Sequence, residues 1–572
     1  MEGPRFISVA SAGADLWSSP LHRIRGLRLP SFAGFPVVRL LRVTVVAGAL
    51  AACTHAPGPD LPEADLLIVG GSLHDGGTGA MRQADVAIVD DRIVWVGPHA
   101  SRRYRAARII DAGGKVVAPG FIDPHSHPDT YIRSDDPAQR RNAPWLYQGV
   151  TTIGIGVDGG GSPDIAKQRA WFEGNGVGTN LVPYVGFGAV RSRVLGQSAR
   201  VPDVAELAQM RELVASAMCE GAFGLSSGLF YVPQSYATTD EVVAVAGEAA
   251  RRGGLYDTHQ RDESSYGVGL VESTREAIQI GRRAGMPVHI AHIKALGVDV
   301  HGKAAELVAL VEQARADGQR VTADQYPWLA SGTGLAAALL PPWSREGGHK
   351  AMLERFADPA QMADIHQEMR DNLRRRGGAD AILLTSIGEE WIGMTLAEVA
   401  SDWRVSAVDA ALRIIGQDER PPGVRSSASI ASFNMRQDDV DLLMQQPWVV
   451  TSSDGSNGHP RQYGSFPEKF ARYVRERKLL DIATFIHRST GLTADILGLQ
   501  QRGHLRPGYF ADVVVFDPAT LAARATYVEP RELSVGVSHL IVNGVVAISD
   551  GEQTDELGGR MLHHVPTEGT CP

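Results

Sequence analysis

A repeated alternation of short apolar strands and longer helices constrains the fold of this 572-residue chain more than any other feature. Apolar runs recur through the middle of the sequence, with segments of helical periodicity among them: runs at 150–153, 181–185, 286–292 and 321–324, and helical segments at 206–218, 239–252 and about 302–317. Repeated β-then-α segments predict parallel strands joined by helices. We therefore expect an α/β fold with a (β/α)8 TIM-like barrel over residues 119–500.

Strand-and-turn patterns bracket this region at both ends of the chain. They occupy residues 64–118 and 501–572, where short β-branched runs alternate with turn pairs. We expect both stretches to form one small β-sandwich built from both chain ends. The charged, helical stretch at 331–392 interrupts the alternation of strands and helices. We interpret it as an insertion, with a lid over the barrel mouth as its expected role.

The first 53 residues resemble a bacterial lipoprotein signal. Several arginines precede an apolar run at 43–52, which is too short to span a membrane. The run ends in Leu-Ala-Ala-Cys at 50–53, a lipobox-like pattern in which the cysteine carries diacylglycerol. Residues 54–63 would be a tether, and Thr54 favours the outer membrane, facing the periplasm. The alternative is a chance cysteine after an alanine-rich leader.

The net charge argues against one class of partner, and the spacing of the two other cysteines bears on whether they form a disulfide. The net charge is -9, with no basic block, so nucleic-acid binding is not expected. The only membrane attachment that we expect is the lipid anchor at Cys53. Cys219 and Cys571 lie far apart in the sequence and do not make a disulfide framework. A bridge between them is the alternative, and we expect two free thiols.

The strongest local motif is a pair of histidines after an apolar strand. Residues 120–127 read Gly-Phe-Ile-Asp-Pro-His-Ser-His, which gives His125 and His127. Side chains two apart on a strand face the same side, and barrel active sites lie at the carboxyl ends of strands. Imidazoles in that arrangement suit zinc and related divalent metals. The alternative is two histidines on an exposed loop.

Three further residues follow later strand-like runs. His259 and His292 each end an apolar run, and Asp454 follows the run at 449–453. The two histidines would complete a four-imidazole set at the barrel mouth. A carboxylate at this place can take a proton from water and pass it to a leaving nitrogen. Asp454 could instead only cap a turn before Gly455. His289 is three residues before His292 and would face the other side, so we expect it in the core or on the outer face of the barrel.

Together these residues resemble the amidohydrolase superfamily, and the chain is similar to the D-aminoacylases, or N-acyl-D-amino-acid deacylases. The similarity runs from about residue 65 to 544. The motifs that carry it are Gln-Gly-Val-Thr-Thr (148–152), Gly-Leu-Ser-Ser-Gly-Leu (224–229), Thr-His-Gln-Arg-Asp-Glu (258–263), Ala-His-Ile-Lys (291–294), Asp-Gln-Tyr-Pro (324–327), Ser-Asp-Gly (453–455), His-Pro-Arg (459–461) and Tyr-Gly-Ser-Phe-Pro (463–467).

The resemblance implies a role for each of these residues. It implies His125, His127, His259 and His292 as metal ligands, Asp454 as the catalytic acid and base, and Arg461 and Tyr326 as the grip on a substrate carboxylate. It also implies one or two divalent metal ions, with Zn²⁺ as the expected metal. A guanidinium suits a carboxylate because its planar fork makes two parallel contacts. The alternatives are a surface salt bridge for the arginine and a core position for the tyrosine.

Two positions depart from the family pattern. Asp158 stands where the family commonly carries a cysteine ligand, and Phe187 stands where a histidine is expected. We predict that Asp158 is a metal ligand; the alternative is that it only shapes the glycine turn at 159–161. Carboxylate is a harder donor than thiolate, which affects the choice of metal. No lysine lies between Lys167 and Lys294, so a lysine that bridges two metals is not expected.

The sequence therefore predicts metal-dependent hydrolysis of the amide bond of N-acyl-D-amino acids. The D preference follows from the resemblance alone. An alternative is another amidohydrolase, acting on cyclic amides or amide-containing xenobiotics. A second alternative is a non-catalytic binding protein anchored in the cell envelope, and retention of the four histidines and Asp454 argues against it.

Overall fold

A computed structural model describes residues 61–386, 390–417, 428–456 and 458–571. The predicted signal with its Cys53 and residues 54–60 of the predicted tether lie outside the described residues. The tether was expected to run to residue 63, but Glu63 already begins a strand. Within the described residues, no helix is both long and apolar enough to cross a lipid bilayer. The described residues from 61 to 571 belong to one unit, in which the barrel, the sandwich and the insertion are packed together.

The centre of this unit is a ring of parallel strands. In chain order, barrel strands 1 to 8 are Phe121–Asp123, Val150–Ile155, Asn180–Pro183 continued by Val185–Gly186, Gly224–Gly228, Leu255–His259, Val288–Ile290, Val321–Gln325 and Val449–Thr451. Neighbouring strands pair in this order. A parallel bridge between Ser126 and Gly455 closes the ring from strand 8 to strand 1. The predicted barrel is confirmed.

Helices cover the outside of the ring and connect its strands. The longer ones in the barrel are Ile165–Asn175, Phe187–Leu195, Val204–Cys219, Thr239–Arg251, Leu270–Ala284, Ala304–Ala316, Gln437–Met444, Arg461–Glu468 with its π-helical continuation Lys469–Glu476, Ile482–Ser489 and Gly491–Leu497. Short helices at Asp129–Ile132, Pro137–Arg140 and Ala143–Leu146 follow strand 1. Helix Leu270–Ala284 buries Leu270, Thr274, Ala277 and Gly281. Spacings of three and four place these residues on one face of the helix.

Strands from both chain ends form the sandwich. One sheet contains Arg92–Gly97, Asp85–Val89, Glu63–Val69 and Arg105–Asp111; the other contains Glu552–Gln553, Val545–Ser549, Val537–Val542, Val513–Phe516, Val116–Pro119, Ser72–Leu73 and Arg82–Gln83. The two ends meet where Val513–Phe516 pairs antiparallel with Val116–Pro119. The sandwich built from both chain ends is thus present.

The insertion has its own sheet and apolar core. Its antiparallel strands are Ala330–Gly334, Ile382–Leu384 and Ser429–Phe433, and its helices are Leu335–Leu339, His349–Phe356, Pro359–Arg375, Leu396–Trp403 and Ala407–Gly416. Strand Ser429–Phe433 lies between the other two and pairs with both. The insertion therefore extends to Phe433, beyond the end expected at residue 392, because its central strand comes last in the sequence.

Cys219 and Cys571 form a disulfide, with their Cα atoms 5.6 Å apart. The expectation of two free thiols is wrong. The last segment of the chain runs back over the barrel, where the Leu562 N–H donates to Leu181 O at 2.8 Å and the His564 N–H donates to Gly221 O at 3.1 Å. This path brings Cys571 to the end of helix Val204–Cys219, although 352 residues separate the two cysteines in the sequence.

Candidate metal centre and active site

Six predicted side chains converge at the carboxyl ends of the barrel strands, and all but His127 are below 9% exposed: His125, His127, Asp158, His259, His292 and Asp454. The carboxyl end of a parallel barrel is where enzyme sites of this fold are built. The strand-end positions in the sequence account for the convergence, because each of these residues ends a strand or follows one closely.

Asp158 lies among the four imidazoles. Its Oδ1 is 3.3 Å from His125 Nε2, and its Oδ2 is 3.3 Å from His127 Nε2. The same Oδ1 is 3.6 Å from His259 Nδ1 and 3.8 Å from His292 Nε2. Because four rings turn a nitrogen toward one carboxylate, these atoms form a set of donors around a shared space.

The backbone of the glycine turn explains how Asp158 reaches this place. Asp158 adopts a left-handed conformation with φ of 54°, and Gly159 follows with φ of 71°. The turn is held from outside, since the Gly159 N–H donates to Ser226 Oγ at 3.1 Å and Gln234 Nε2 donates to Asp158 O at 2.9 Å. Asp158 Oδ1 has no hydrogen-bond partner among the described residues. That oxygen therefore faces the histidines without supporting the turn.

The unsatisfied atoms of this cluster fit a divalent cation. Both ring nitrogens of His125 and Oδ1 of Asp158 are buried without a hydrogen-bond partner in the described part of the chain. Leaving buried polar atoms unpaired is costly. Donor atoms converge in three overlapping groups at the mouth: His125, His127 and Asp454; His125, Asp158 and His292; His259, Glu263 and His292. Imidazole and carboxylate donors suit a divalent transition metal, and there is room for one or two ions.

Asp454 is held between a histidine and an arginine. Its Oδ1 is 3.3 Å from His127 Nε2, and its Oδ2 is 2.6 Å from NH1 of Arg461. Burial alone would raise the pKa of Asp454, but the Arg461 guanidinium lowers that pKa well below its usual range. Asp454 is therefore ionised and able to accept a proton. Arg461 is 2% exposed and also donates to Gly332 O at 3.2 Å and Ser456 Oγ at 3.1 Å.

A narrow cavity of about 20 Å³ opens beside the cluster. Barrel residues on its wall include His259, Asp454 and Tyr326, and the insertion supplies Ser331, Gly332, Thr333 and Arg376. This volume holds about one water molecule, so the residues that line the cavity must move before a larger ligand can bind. The insertion thus covers the mouth, as a lid would, and Tyr326 lies where a ligand would bind.

Glu263 and Lys294 belong to the site, although the sequence interpretation gave them no role. Lys294 Nζ donates to Glu263 Oε1, and it lies 2.6 Å from His292 Nδ1. Glu263 Oε1 is also 3.1 Å from that ring nitrogen. The signal was available, because the two residues follow His259 and His292 by four and two positions in the quoted motifs.

His289 is fully buried in the barrel interior, so of the two places expected for it the core is the one observed. Its Nε2 is 2.9 Å from Asp324 Oδ2, and Oδ1 of the same carboxylate accepts the His292 N–H at 2.9 Å. The strand ends at Ile290, and His292 lies in a turn with φ of 35°. Strand alternation therefore does not carry from His289 to His292. Phe187 is fully buried, and nothing in the structure explains why it stands there.

A model of the amidohydrolase family matches residues 108–548 of the chain. The D-aminoacylase of Alcaligenes xylosoxydans xylosoxydans is 32% identical over 525 residues, which cover 87% of this chain and 97% of that protein. The chain belongs to the D-aminoacylase family of amidohydrolases. The resemblance inferred from the motifs is confirmed, and this member of the D-aminoacylase family is an amide-cleaving hydrolase.

Two further D-aminoacylase relatives cover nearly the same length. The N-acyl-D-aspartate deacylase of Alcaligenes xylosoxydans xylosoxydans is 33% identical over 531 residues, 87% of this chain and 95% of that protein. The crystal structure of N-acyl-D-glutamate deacylase from Bordetella bronchiseptica, complexed with zinc and a phosphonate inhibitor, is 29% identical. It covers 88% of this chain and all of that one, with a TM-score of 0.72.

Proposed function

We propose that the protein is a zinc-dependent deacylase that hydrolyses the amide bond of N-acyl-D-amino acids to a carboxylate and a free D-amino acid. One observation carries the proposal: an ionised Asp454 lies within 3.3 Å of His127, at the edge of a buried set of histidines and Asp158. The names of the similar deacylases, and the zinc in one of them, support the substrate class and the metal.

In this proposal, His125, His127, Asp158, His259 and His292 hold the metal. When bound, a zinc ion polarises an acyl carbonyl and lowers the pKa of water. Asp454 takes the proton from the attacking water and returns it to the leaving nitrogen. Arg461 keeps Asp454 ionised and oriented through the 2.6 Å contact, so that the carboxylate starts each cycle without a proton.

Arg461 and Tyr326 are proposed to hold the substrate α-carboxylate. They lie together, with the Arg461 guanidinium carbon 5.1 Å from the Tyr326 ring centroid. Tyr326 Oη is buried without a hydrogen-bond partner among the described residues, so it can donate to a ligand. In the structure NH1 of Arg461 pairs with Asp454, and NH2 donates to Gly332 O and Ser456 Oγ. The α-carboxylate would therefore be held by the Nε–H, which has no hydrogen-bond partner among the described residues, or would replace one of these contacts.

A substrate panel tests the function. Matched N-acetyl D- and L-amino acids, together with cyclic amides, are assayed with the purified protein while bound metal is measured. We expect cleavage of linear D substrates in proportion to bound zinc. Cleavage of cyclic amides alone would favour the other amidohydrolase activity, and metal binding without any cleavage would favour a binding protein.

We also propose that the protein is exported and lipid-anchored at Cys53, in the outer membrane facing the periplasm. The leader pattern supports this, and so does the Cys219–Cys571 disulfide, because disulfides persist in oxidising compartments. Cys53→Ala should release the protein from the membrane fraction or block its processing. An unchanged fractionation and an unchanged mass of the mature N-terminus would contradict the anchor.

A further inference from the structure

Arg376 is a buried cation that the insertion brings to the wall of the active-site cavity. It follows helix Pro359–Arg375 directly and is 2% exposed. The end of this helix is fixed to the barrel, because the Val298 N–H donates to Arg375 O at 3.0 Å. Val298 belongs to the loop after barrel strand 6, the strand that leads to His292. The position of Arg376 relative to the metal ligands is therefore set by the fold.

Among the described residues, the contacts of Arg376 include no counter-ion for its charge. NH1 donates to Ser432 Oγ at 3.1 Å, and the guanidinium carbon lies 5.6 Å from the ring centroid of Tyr266. Its Nε is buried and, within the part of the chain that the structure describes, has no hydrogen-bond partner and no paired carboxylate. An arginine stays protonated in proteins, so burial cannot remove this charge. An unpaired buried charge is costly unless a ligand compensates it.

The other two cations of the site are already paired. Lys294 Nζ donates to Glu263, and Arg461 NH1 lies 2.6 Å from Asp454. Both partners are carboxylates within the protein. Among the described residues that line the cavity, Arg376 is thus the arginine or lysine that still lacks an anion.

We propose that Arg376 binds a second substrate carboxylate, at the end of the amino-acid side chain, so that the enzyme prefers N-acyl-D-glutamate or N-acyl-D-aspartate. This inference rests on the proposed function, in which Arg461 and Tyr326 hold the α-carboxylate. A guanidinium recognises a carboxylate through a two-point contact that a neutral side chain cannot make. The names of the relatives do not decide the matter, because they include a D-aminoacylase as well as acidic-substrate deacylases.

The test compares N-acetyl-D-glutamate with N-acetyl-D-glutamine, which differ only in the side-chain carboxylate. The zinc-loaded wild type should favour the glutamate derivative in kcat/KM by about 10²-fold, the size expected for a charged hydrogen bond. In Arg376→Gln this ratio should fall to about one, through loss on the glutamate substrate. Arg374→Gln is the matched control: Arg374 is exposed, pairs with Asp299 at 2.7 Å and is not part of the cavity wall, so its ratio should be unchanged.

Two results would overturn the inference. One is a wild-type ratio near one. The other is an equal loss on both substrates in Arg376→Gln, which would assign Arg376 to the α-carboxylate. If that variant fails to fold, Arg376→Lys, which keeps the charge but not the fork, must lower the ratio by at least about tenfold. Wild-type cleavage of glutamine but not glutamate substrates would refute the inference alone, whereas no cleavage of any D substrate would refute the proposed function.

Discussion

The barrel buries two kinds of carboxylates, and they differ in their hydrogen bonds. Asp123 and Asp324 are fully buried below the site, and each of their carboxylate oxygens has a hydrogen-bond partner. Asp123 accepts the Ser453 N–H at 2.9 Å and Trp145 Nε1–H at 2.8 Å, and Asp324 accepts the His292 N–H at 2.9 Å. These bonds tie strands 1, 6, 7 and 8 together below the metal ligands.

Asp158 and Asp257 are the opposite case. Asp158 Oδ1 and both oxygens of Asp257 are buried without a hydrogen-bond partner among the described residues. The two carboxylates flank His125, with Asp158 3.3 Å from Nε2 and Asp257 3.7 Å from Nδ1. A histidine that binds a metal through one nitrogen donates the other N–H to a carboxylate or carbonyl as a rule. Carboxylates with hydrogen-bond partners therefore build the support below the site. Carboxylates without such partners indicate where a cation or a proton binds.

Removing the unsatisfied carboxylate should have the largest effect. Asp158→Ala should lose bound metal and amide cleavage together, because the four histidines lose the negative charge among them. Asp158→Cys should keep a metal and bind zinc more tightly, since thiolate is the softer donor. Metal content by mass spectrometry and turnover on N-acetyl-D-amino acids measure both effects.

A neighbouring aspartate serves as the control for this prediction. Asp164 is exposed and pairs with Arg193 at 2.6 Å, so Asp164→Ala should keep both metal and activity. An Asp158→Ala protein that is fully loaded with metal and active would leave the histidines as the whole ligand set. It would also show that the open oxygen of Asp158 does not indicate a cation.

The acid and base of the site should come next in size. Asp454→Asn keeps the shape of the side chain but cannot accept a proton, so turnover should fall by about 10²-fold or more. Metal content should be retained, because the histidines and Asp158 remain. Steady-state kinetics with a parallel metal measurement would test this, and a near-normal kcat would remove Asp454 from the mechanism.

The sequence predicted the parts of this molecule that local pattern controls. The strand-end histidines could be assigned to the site from the sequence. Strand periodicity acts over a few residues, and active sites of barrels lie at the carboxyl ends of the strands. Contacts that join distant segments were missed. The Cys219–Cys571 disulfide depends on the path of the last segment, and the end of the insertion depends on the late strand Ser429–Phe433. The Glu263–Lys294 pair was missed because both lie in motifs read only for their histidines.

Changing a satisfied carboxylate should affect stability more than metal binding. In the wild type, both oxygens of Asp123 accept hydrogen bonds. Asp123→Asn replaces one of these oxygens with an NH2 group that faces a donor, so the free energy of unfolding should fall by about 2 kcal/mol. Ser453→Ala removes one of these donors and should cost less. Thermal unfolding measures the loss, and bound metal should stay close to the wild-type amount. Loss of metal without loss of stability would erase the distinction between the two kinds of carboxylates.

Lys469 is a buried base, and its substitution should have the smallest effect on activity of these changes. It is 1% exposed, and its Nζ has no hydrogen-bond partner among the described residues. Burial, helped by the nearby Arg488, lowers the pKa of Lys469 to about 7. Unlike Arg376, this side chain can lose its charge near neutral pH. A buried base without a partner is therefore tolerated by deprotonation, which is not possible for an arginine.

The sign of the pH dependence follows from that lowered pKa. Between pH about 7 and 10.5 the unfolded chain holds a proton that the folded protein has released, so the stability of the wild type rises with pH in this window. Lys469→Met removes the titration and should be more stable than the wild type near pH 6, with the advantage shrinking by about 3 kcal/mol at pH 9. Taking the difference between the two proteins at each pH cancels the other titrating groups. Lys478→Met changes an exposed lysine and should show no such trend. A constant advantage across this range would mean that Lys469 is charged when folded and has a partner.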